Sequence, residues 1–152
     1  MVKKIAVVTG TRAEYGLLKP VIRLLLSSPD VEVMVFATGM HLSPEFGMTV
    51  REIEDDGITV TDRVEILLSS DSSIGTGKSM GLAMIGFTET FARYKPDLVV
   101  LLGDRFEIFC AAAAATVSKV PIAHIHGGEL TLGAMDDAFR HSITKMSHLH
   151  FT

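Results

Sequence analysis

The sequence predicts a Rossmann-like, three-layer α/β domain with a mostly parallel sheet, and three observations carry that expectation. Short runs of branched apolar residues recur along the 152 residues, as in Ile5-Ala6-Val7-Val8 and Leu98-Val99-Val100-Leu101-Leu102. Runs this short and unbroken suit strands buried on both faces. Stretches with helical spacing lie between them, and strict alternation of strand and helix implies right-handed crossovers and parallel pairing. Apolar residues form 47% of the chain and its mean hydropathy is +0.36, which fits a sheet covered on both sides. The length is enough for one domain with a real core.

In chain order, residues 4–9 read as a buried strand, and the turn after it leads to a helix over about 16–27. Pro29-Asp30 punctuates; Val31, Val33 and Val35 begin a second strand that ends near Thr38. Phe46, Val50 and Ile53 recur at i, i+4 and i+7, a helical spacing that Asp55-Asp56-Gly57 stops. A weaker strand follows near 58–64. Residues 65–78 are polar and serine-rich, and read as the longest loop and a mobile flap. A helix over 77–95 turns Leu82, Ile85 and Phe91 inward and ends at Pro96, since a residue before proline disfavours the α region. Strand four is 97–102, helix four 105–118 and strand five 121–125. A last helix over 136–147 carries Phe139, Ile143 and Met146 on one stripe, and Leu149-His150-Phe151-Thr152 looks like the opening of a sixth strand. No internal repeat or linker interrupts this series.

Composition excludes several classes of function. The formal net charge is −4 with acids and bases interspersed, so no basic stripe exists to neutralise a phosphate backbone, and a nucleic-acid partner is not expected. No segment reaches the roughly 18 apolar residues of a membrane span, so no membrane partner is expected. The N-terminal apolar stretch is too short for a signal peptide, which leaves the cytoplasm as the expected location. Cys110, the sole cysteine, lies in an alanine run and reads as a buried packing thiol.

Chemistry concentrates after the strands. If the strand order is 3-2-1-4-5-6, the topology reverses between strands one and four, where open α/β sheets bind ligands. The loops holding Arg12 and Asp104 then flank one crevice, with the loop of His126 and Glu129 beside them. Gly10-Thr11-Arg12-Ala13-Glu14-Tyr15-Gly16 lacks the glycine spacing of a dinucleotide site. What it offers is a glycine turn, a helix start and an arginine, suited to a phosphate or carboxylate; a turn glycine with a surface arginine is the plainer alternative. Ser72-Ser73-Ile74-Gly75-Thr76-Gly77-Lys78-Ser79 has serine where a phosphate-binding loop needs its first glycine, and reads as loop and helix start. Ser43 before Pro44 reads as a helix cap; His41 could touch ligand, though a solvated loop histidine is the simpler expectation. In His124-Ile125-His126-Gly127-Gly128-Glu129, His124 should point into the sheet and His126 into the crevice, given the period of two along a strand. The two histidines then face opposite sides, which argues against zinc. Asp136 and Asp137 open the last helix, where acids stabilise it by about 0.3–1 kcal/mol. Aimed at the crevice, the same two acids would raise one another's pKa toward neutrality, as proton transfer requires.

Five ordered motifs, GTRAEYG, TGMHLSPEFG, LLGDRFE, HIHGGE and DDAFRHSITKMSH, together resemble the UDP-N-acetylglucosamine 2-epimerases, nearest to their hydrolysing branch. The resemblance spans essentially the whole chain. It implies one half of a glycosyltransferase-B-type fold: residues 1–152 as the N-terminal Rossmann-like domain, with a C-terminal UDP-binding domain absent, in a whole protein roughly twice this length or more. It implies conversion of UDP-N-acetylglucosamine to N-acetylmannosamine and UDP, by elimination and then hydration, for sialic-acid-type sugars. UDP-N,N'-diacetylbacillosamine is the alternative substrate. The implied catalytic set is Asp104, His126, Glu129, Asp136 and Asp137; Arg12, Glu14, His41, Arg105, Arg140 and His141 are the implied substrate-binding residues. Many members carry glutamate where this chain has His126, which leaves His126 or Glu129 as the general base. The chemistry implies no metal and no cofactor; the expected partners are a UDP-sugar and further copies in a homo-oligomer. This fragment alone is expected to be inactive. A non-catalytic binding module, or a glycosyltransferase half of the same architecture, are the competing readings.

Overall fold

A computed structural model describes residues 1–68, 70–127 and 135–152. Its elements run β1 (Lys3–Thr9), α1 (Arg12–Leu26), β2 (Val31–Thr38), two short 3₁₀ turns (Gly39–Leu42 and Pro44–Phe46), α2 (Val50–Asp55), β3 (Val60–Val64), α3 (Ser73–Tyr94), β4 (Leu98–Leu102), α4 (Phe106–Val117), β5 (Ile122–Ile125), α5 (Met135–Met146) and β6 (Leu149–Phe151). The six strands form one sheet in the order β3-β2-β1-β4-β5-β6, parallel throughout. The expected order and its reversal between β1 and β4 are therefore observed.

Alternate residues of each inner strand feed two cores. Ala6 and Val8 of β1 join Phe36 and Leu101 against Phe87, Phe91, Ile108 and Ile143 from α3, α4 and α5. Val7, Val35 and Val100 face the opposite way, against Leu18 and Ile22 of α1 and Ile53 of α2. This two-sided burial is why the strands read as continuous apolar runs. Among the described residues no helix is long and apolar enough to cross a membrane.

Several boundaries and faces differ from the sequence expectation. The first helix begins at Arg12 rather than near 16, because Thr11 caps it: the Thr11 hydroxyl accepts from Glu14 N–H at 3.1 Å. Phe46 is not on the α2 stripe; it sits half-exposed on a 3₁₀ turn, while Val50 and Ile53 are buried as expected. The serine-rich stretch is helical from Ser73, with Ser72 Oγ accepting from Gly75 N–H at 3.1 Å. Phe91 is buried as expected, but Leu82 and Ile85 are exposed, and α3 buries Ser79, Ala83 and Phe87 in their place. Small residues face inward because the helix lies close to its neighbours: a Cβ added at Gly86 would stand 2.6 Å from Val64 Cγ1. Cys110 is buried against this core, and burial pushes its thiol up to about 11.

Candidate functional site

Glycine turns follow the two strands that flank the reversal. After β4, Gly103 adopts φ +88, a conformation that glycine enters at little cost, and it places Asp104 and Arg105 ahead of α4. The turn is pinned from its neighbour strand. Gly103 N–H donates to the Ile125 carbonyl at 3.1 Å, and the Gly103 carbonyl accepts from His124 Nε2 at 2.8 Å. Burial lowers the His124 pKa, so the ring is neutral and its Nδ1 accepts from the Thr144 hydroxyl at 3.2 Å. His124 thus points into the fold and is satisfied there, as its register predicts. It braces the β4 turn against α5.

That brace sets up an ion pair. Arg140 of α5, almost fully buried, donates from its guanidinium to the Asp104 carboxylate. Arg140 is therefore bound to the candidate acid as well as being a candidate ligand contact. Bidentate or charge-assisted contacts of this kind fix orientation as well as charge. Next to it, Arg105 donates from Nε to Glu107 Oε1 at 2.6 Å. Glu107, Glu14 and Asp136 all act on this guanidinium; burial opposes its charge, but the carboxylates outweigh burial and raise its pKa. Arg105 is about one-third exposed and lines a cavity of about 500 Å³ with Met40, Phe46, Leu67, Asp71 and Ser79.

The remaining candidates divide. His126 is exposed at the carboxyl end of β5, with φ +61 and its N–H donating to the Phe151 carbonyl at 2.8 Å. A non-glycine residue in that region is uncommon and concentrates at functional positions. Asp136 is exposed in the first turn of α5 and within electrostatic reach of Arg105. Asp137 lies 3.4 Å from His141, one turn along the same helix. Glu129 lies outside the described residues.

Three expectations need correction. Arg12 does not turn to the crevice with Asp104: its side chain is three-quarters exposed and pairs with Glu52 of α2 at 3.2 Å. It lines a separate hollow with Tyr15, Lys19 and Asp56, where Tyr15 Oη donates to Asp56 at 2.5 Å. His41 is neither solvated nor open to ligand. It is fully buried, with Thr9 and Thr49 hydroxyls on its two ring nitrogens at 2.8 and 2.9 Å, and burial lowers its pKa to about 4. Glu14 is buried beneath the first loop, where its Oε2 accepts from Gly10 N–H at 2.9 Å. Burial and the nearby Glu107 raise its pKa to about 8.

Sequence reasoning passed over Glu107 and the role of His124 as a brace. A Cβ at Gly127 would meet His124 Nδ1 at 2.7 Å and Thr144 Oγ1 at 2.8 Å, so this glycine makes room for the brace. The signal for Glu107 was present, an acid two residues after an arginine at a helix start. Among the described residues no three His, Cys, Asp or Glu side chains are grouped to hold a metal.

A family profile described as UDP-N-acetylglucosamine 2-epimerase matches residues 24–152. The chain is 48% identical over 98% of its length to the GDP/UDP-N,N'-diacetylbacillosamine 2-epimerase (hydrolyzing) of Campylobacter jejuni, covering 38% of that protein. It is 42% identical over 99% of its length to the UDP-N,N'-diacetylbacillosamine 2-epimerase (hydrolyzing) of Legionella pneumophila, covering 40% of it. Against the UDP-N-acetylglucosamine 2-epimerase of Neisseria meningitidis, identity is 39% over 97% of the chain and 38% of the relative. A crystal structure of the Neisseria meningitidis UDP-GlcNAc 2-epimerase bound to UDP-GlcNAc superposes with a TM-score of 0.85 at 25% identity, covering 98% of this chain and 39% of that one. The chain spans about two-fifths of the length of the curated relatives it matches.

Proposed function

The chain belongs to the UDP-N-acetylglucosamine 2-epimerase family, and from that premise we propose that it forms the sugar-side domain of a hydrolysing UDP-sugar 2-epimerase. The observation that carries the proposal is the Asp104–Arg140 pair, held by His124 at the point where the strand order reverses. In the reaction the C2 proton is removed and the C1–O bond to UDP breaks, giving a C1=C2 glycal. Water then adds its hydroxyl to C1 and a proton to the opposite face of C2, releasing the inverted free sugar and UDP.

Arg140 fixes the Asp104 carboxylate, so this acid is presented to a bound sugar in one orientation, which is the condition for efficient proton transfer. His126, exposed at the end of the adjacent strand, is a second group able to accept or return a proton. Arg105 brings permanent positive charge to the cavity wall, where a leaving diphosphate develops negative charge. Asp136 stands close enough to Arg105 to influence it, which joins the start of α5 to the same group.

For the sugar, the two relatives at 48% and 42% identity act by name on N,N'-diacetylbacillosamine nucleotides, whereas the UDP-N-acetylglucosamine enzyme stands at 39%. We therefore put UDP-N,N'-diacetylbacillosamine first and UDP-N-acetylglucosamine, with N-acetylmannosamine as its product, second. Since the relatives are much longer, the uridine contacts are assigned to a second domain outside these residues, and residues 1–152 alone should turn over neither sugar. The test is to incubate the intact protein with each UDP-sugar in deuterated water and follow the products by NMR. UDP release with deuterium at C2 of an inverted free sugar supports the proposal; UDP release without C2 exchange, or no release from either sugar, rejects it.

A further inference from the structure

Two buried carboxylates stand where the sheet reverses, and the reaction above uses neither. Glu14 lies in the first turn of α1 and Glu107 in the first turn of α4, 7% and 1% exposed. Gly10 contacts both: its N–H donates to Glu14 Oε2 at 2.9 Å, and a Cβ added to it would lie 2.8 Å from Glu107 Oε1. Gly39, at φ +59, closes over Glu107 from the loop after β2, with an added Cβ 3.6 Å from the same oxygen. Glu14 Oε1 and Glu107 Oε2 are buried and accept no hydrogen bond from any described residue. Like charges sharing a site shielded from water titrate as a pair, with one proton strongly retained. A single proton turns one of these oxygens into a donor and removes the repulsion. Glu107 Oε1, meanwhile, is the anchor of Arg105, whose exposed portion faces the cavity.

We propose that Glu14 and Glu107 act as a one-proton carboxylate pair that positions Arg105 for an anionic substrate, so that losing the shared proton weakens substrate binding. The inference rests on the functional reading above in taking that anion to be a UDP-sugar. With one proton the pair carries a single negative charge, matched by Arg105, and the outer N–H groups of the guanidinium are left for the ligand. Without it the pair carries two, and the floor of the crevice turns net negative and repels an anion. Among the described residues, the charged and titratable groups around the pair are Asp104 and Arg105 before α4, Cys110 one turn further along it, and His41 after β2; Asp136 of α5 acts through Arg105. Cys110, pushed up to about 11, and His41, lowered to about 4, each keep one protonation state between pH 6 and 9. Neither supplies a transition in that range, whereas Glu14, raised to about 8, does.

Two measurements on the intact protein test this. The first needs no substrate: NMR titration of glutamate side-chain carboxyls should find one that titrates near neutral to alkaline pH and vanishes in Glu14→Gln. The second is KM and kcat for the UDP-sugar between pH 6 and 9. In the wild type KM should rise up to about tenfold per pH unit beyond the pair's transition, with kcat moving less; in Glu14→Gln that rise should be absent. Glu107→Gln should raise KM about tenfold or more across the range, and Glu107→Asp should recover part of the loss. A flat KM in the wild type, a rise that persists in Glu14→Gln, or glutamates that all titrate in the ordinary acid range overturn the proposal. If Glu107→Gln fails to fold, Glu14→Gln and the titration decide. Were the wild type to turn over no UDP-sugar, the functional reading would fall, and the carboxyl titration alone would uphold or overturn the pair.

Discussion

Replacing Glu14 by glutamine should change how stability depends on pH, and the size of the change follows from its burial. The carboxyl pKa is raised from 4.5 to about 8, first by burial and then by Glu107. The folded state therefore holds a proton that the unfolded state releases, and stability is fully present below pH 4.5 and lost as pH rises toward 8. At about 1.4 kcal/mol per unit, the full loss is about 5 kcal/mol. His41 works the other way. Its pKa falls from 6.5 to about 4, so its stabilisation is complete above pH 6.5 and is lost as pH drops to 4, about 3 kcal/mol in all. Between pH 4.5 and 6.5 the two slopes cancel; from 6.5 to 8 Glu14 alone remains, with a fall of about 2 kcal/mol. Urea unfolding of wild type and Glu14→Gln at fixed pH values from 4 to 9 isolates the proton held between Glu14 and Glu107, because the groups outside that pair are common to both proteins. The variant should gain on the wild type by about 5 kcal/mol between pH 4.5 and 8. A difference that stays constant over that range would refute the reasoning.

Other outcomes are expected. Asp104→Asn should lower kcat for UDP release by about 100-fold or more with the fold retained, checked by initial rates alongside circular dichroism. Gly127→Ala should cost about 1–3 kcal/mol in denaturant unfolding, since its Cβ would press on the His124 ring and the Thr144 hydroxyl. Cys110, buried and with its thiol pushed up to about 11, should resist alkylation at pH 8 in the folded protein and react only once denaturant is added.

The sheet was legible because its strands carry their own signal. Val7 and Val8 alternate between two cores, so the run is apolar at every position, and the β–α rhythm leaves few alternatives for their order. Helix faces were less legible where backbone proximity outweighs side-chain apolarity. Leu82 and Ile85 are larger and more apolar than Ser79 and Ala83, yet the smaller pair faces the core because α3 runs close against β3. At the site, the period of two along β5 turned His124 inward, whereas His126 lies past the strand end at φ +61, where that period no longer sets its direction. What the motifs could not convey was partner choice across long sequence separations. Arg12 goes to Glu52, His41 to Thr9, and Arg140 to Asp104, each decided by packing of elements far apart in the chain.

The tie running from Gly103 through His124 to Thr144 makes the acid and its arginine travel together. Asp104 rides on one end of this strut and Arg140 on the helix at the other. A change at Thr144, which belongs to neither charged group, would loosen both at once. A half-buried threonine behind the pair therefore holds the carboxylate in place as surely as the arginine that touches it.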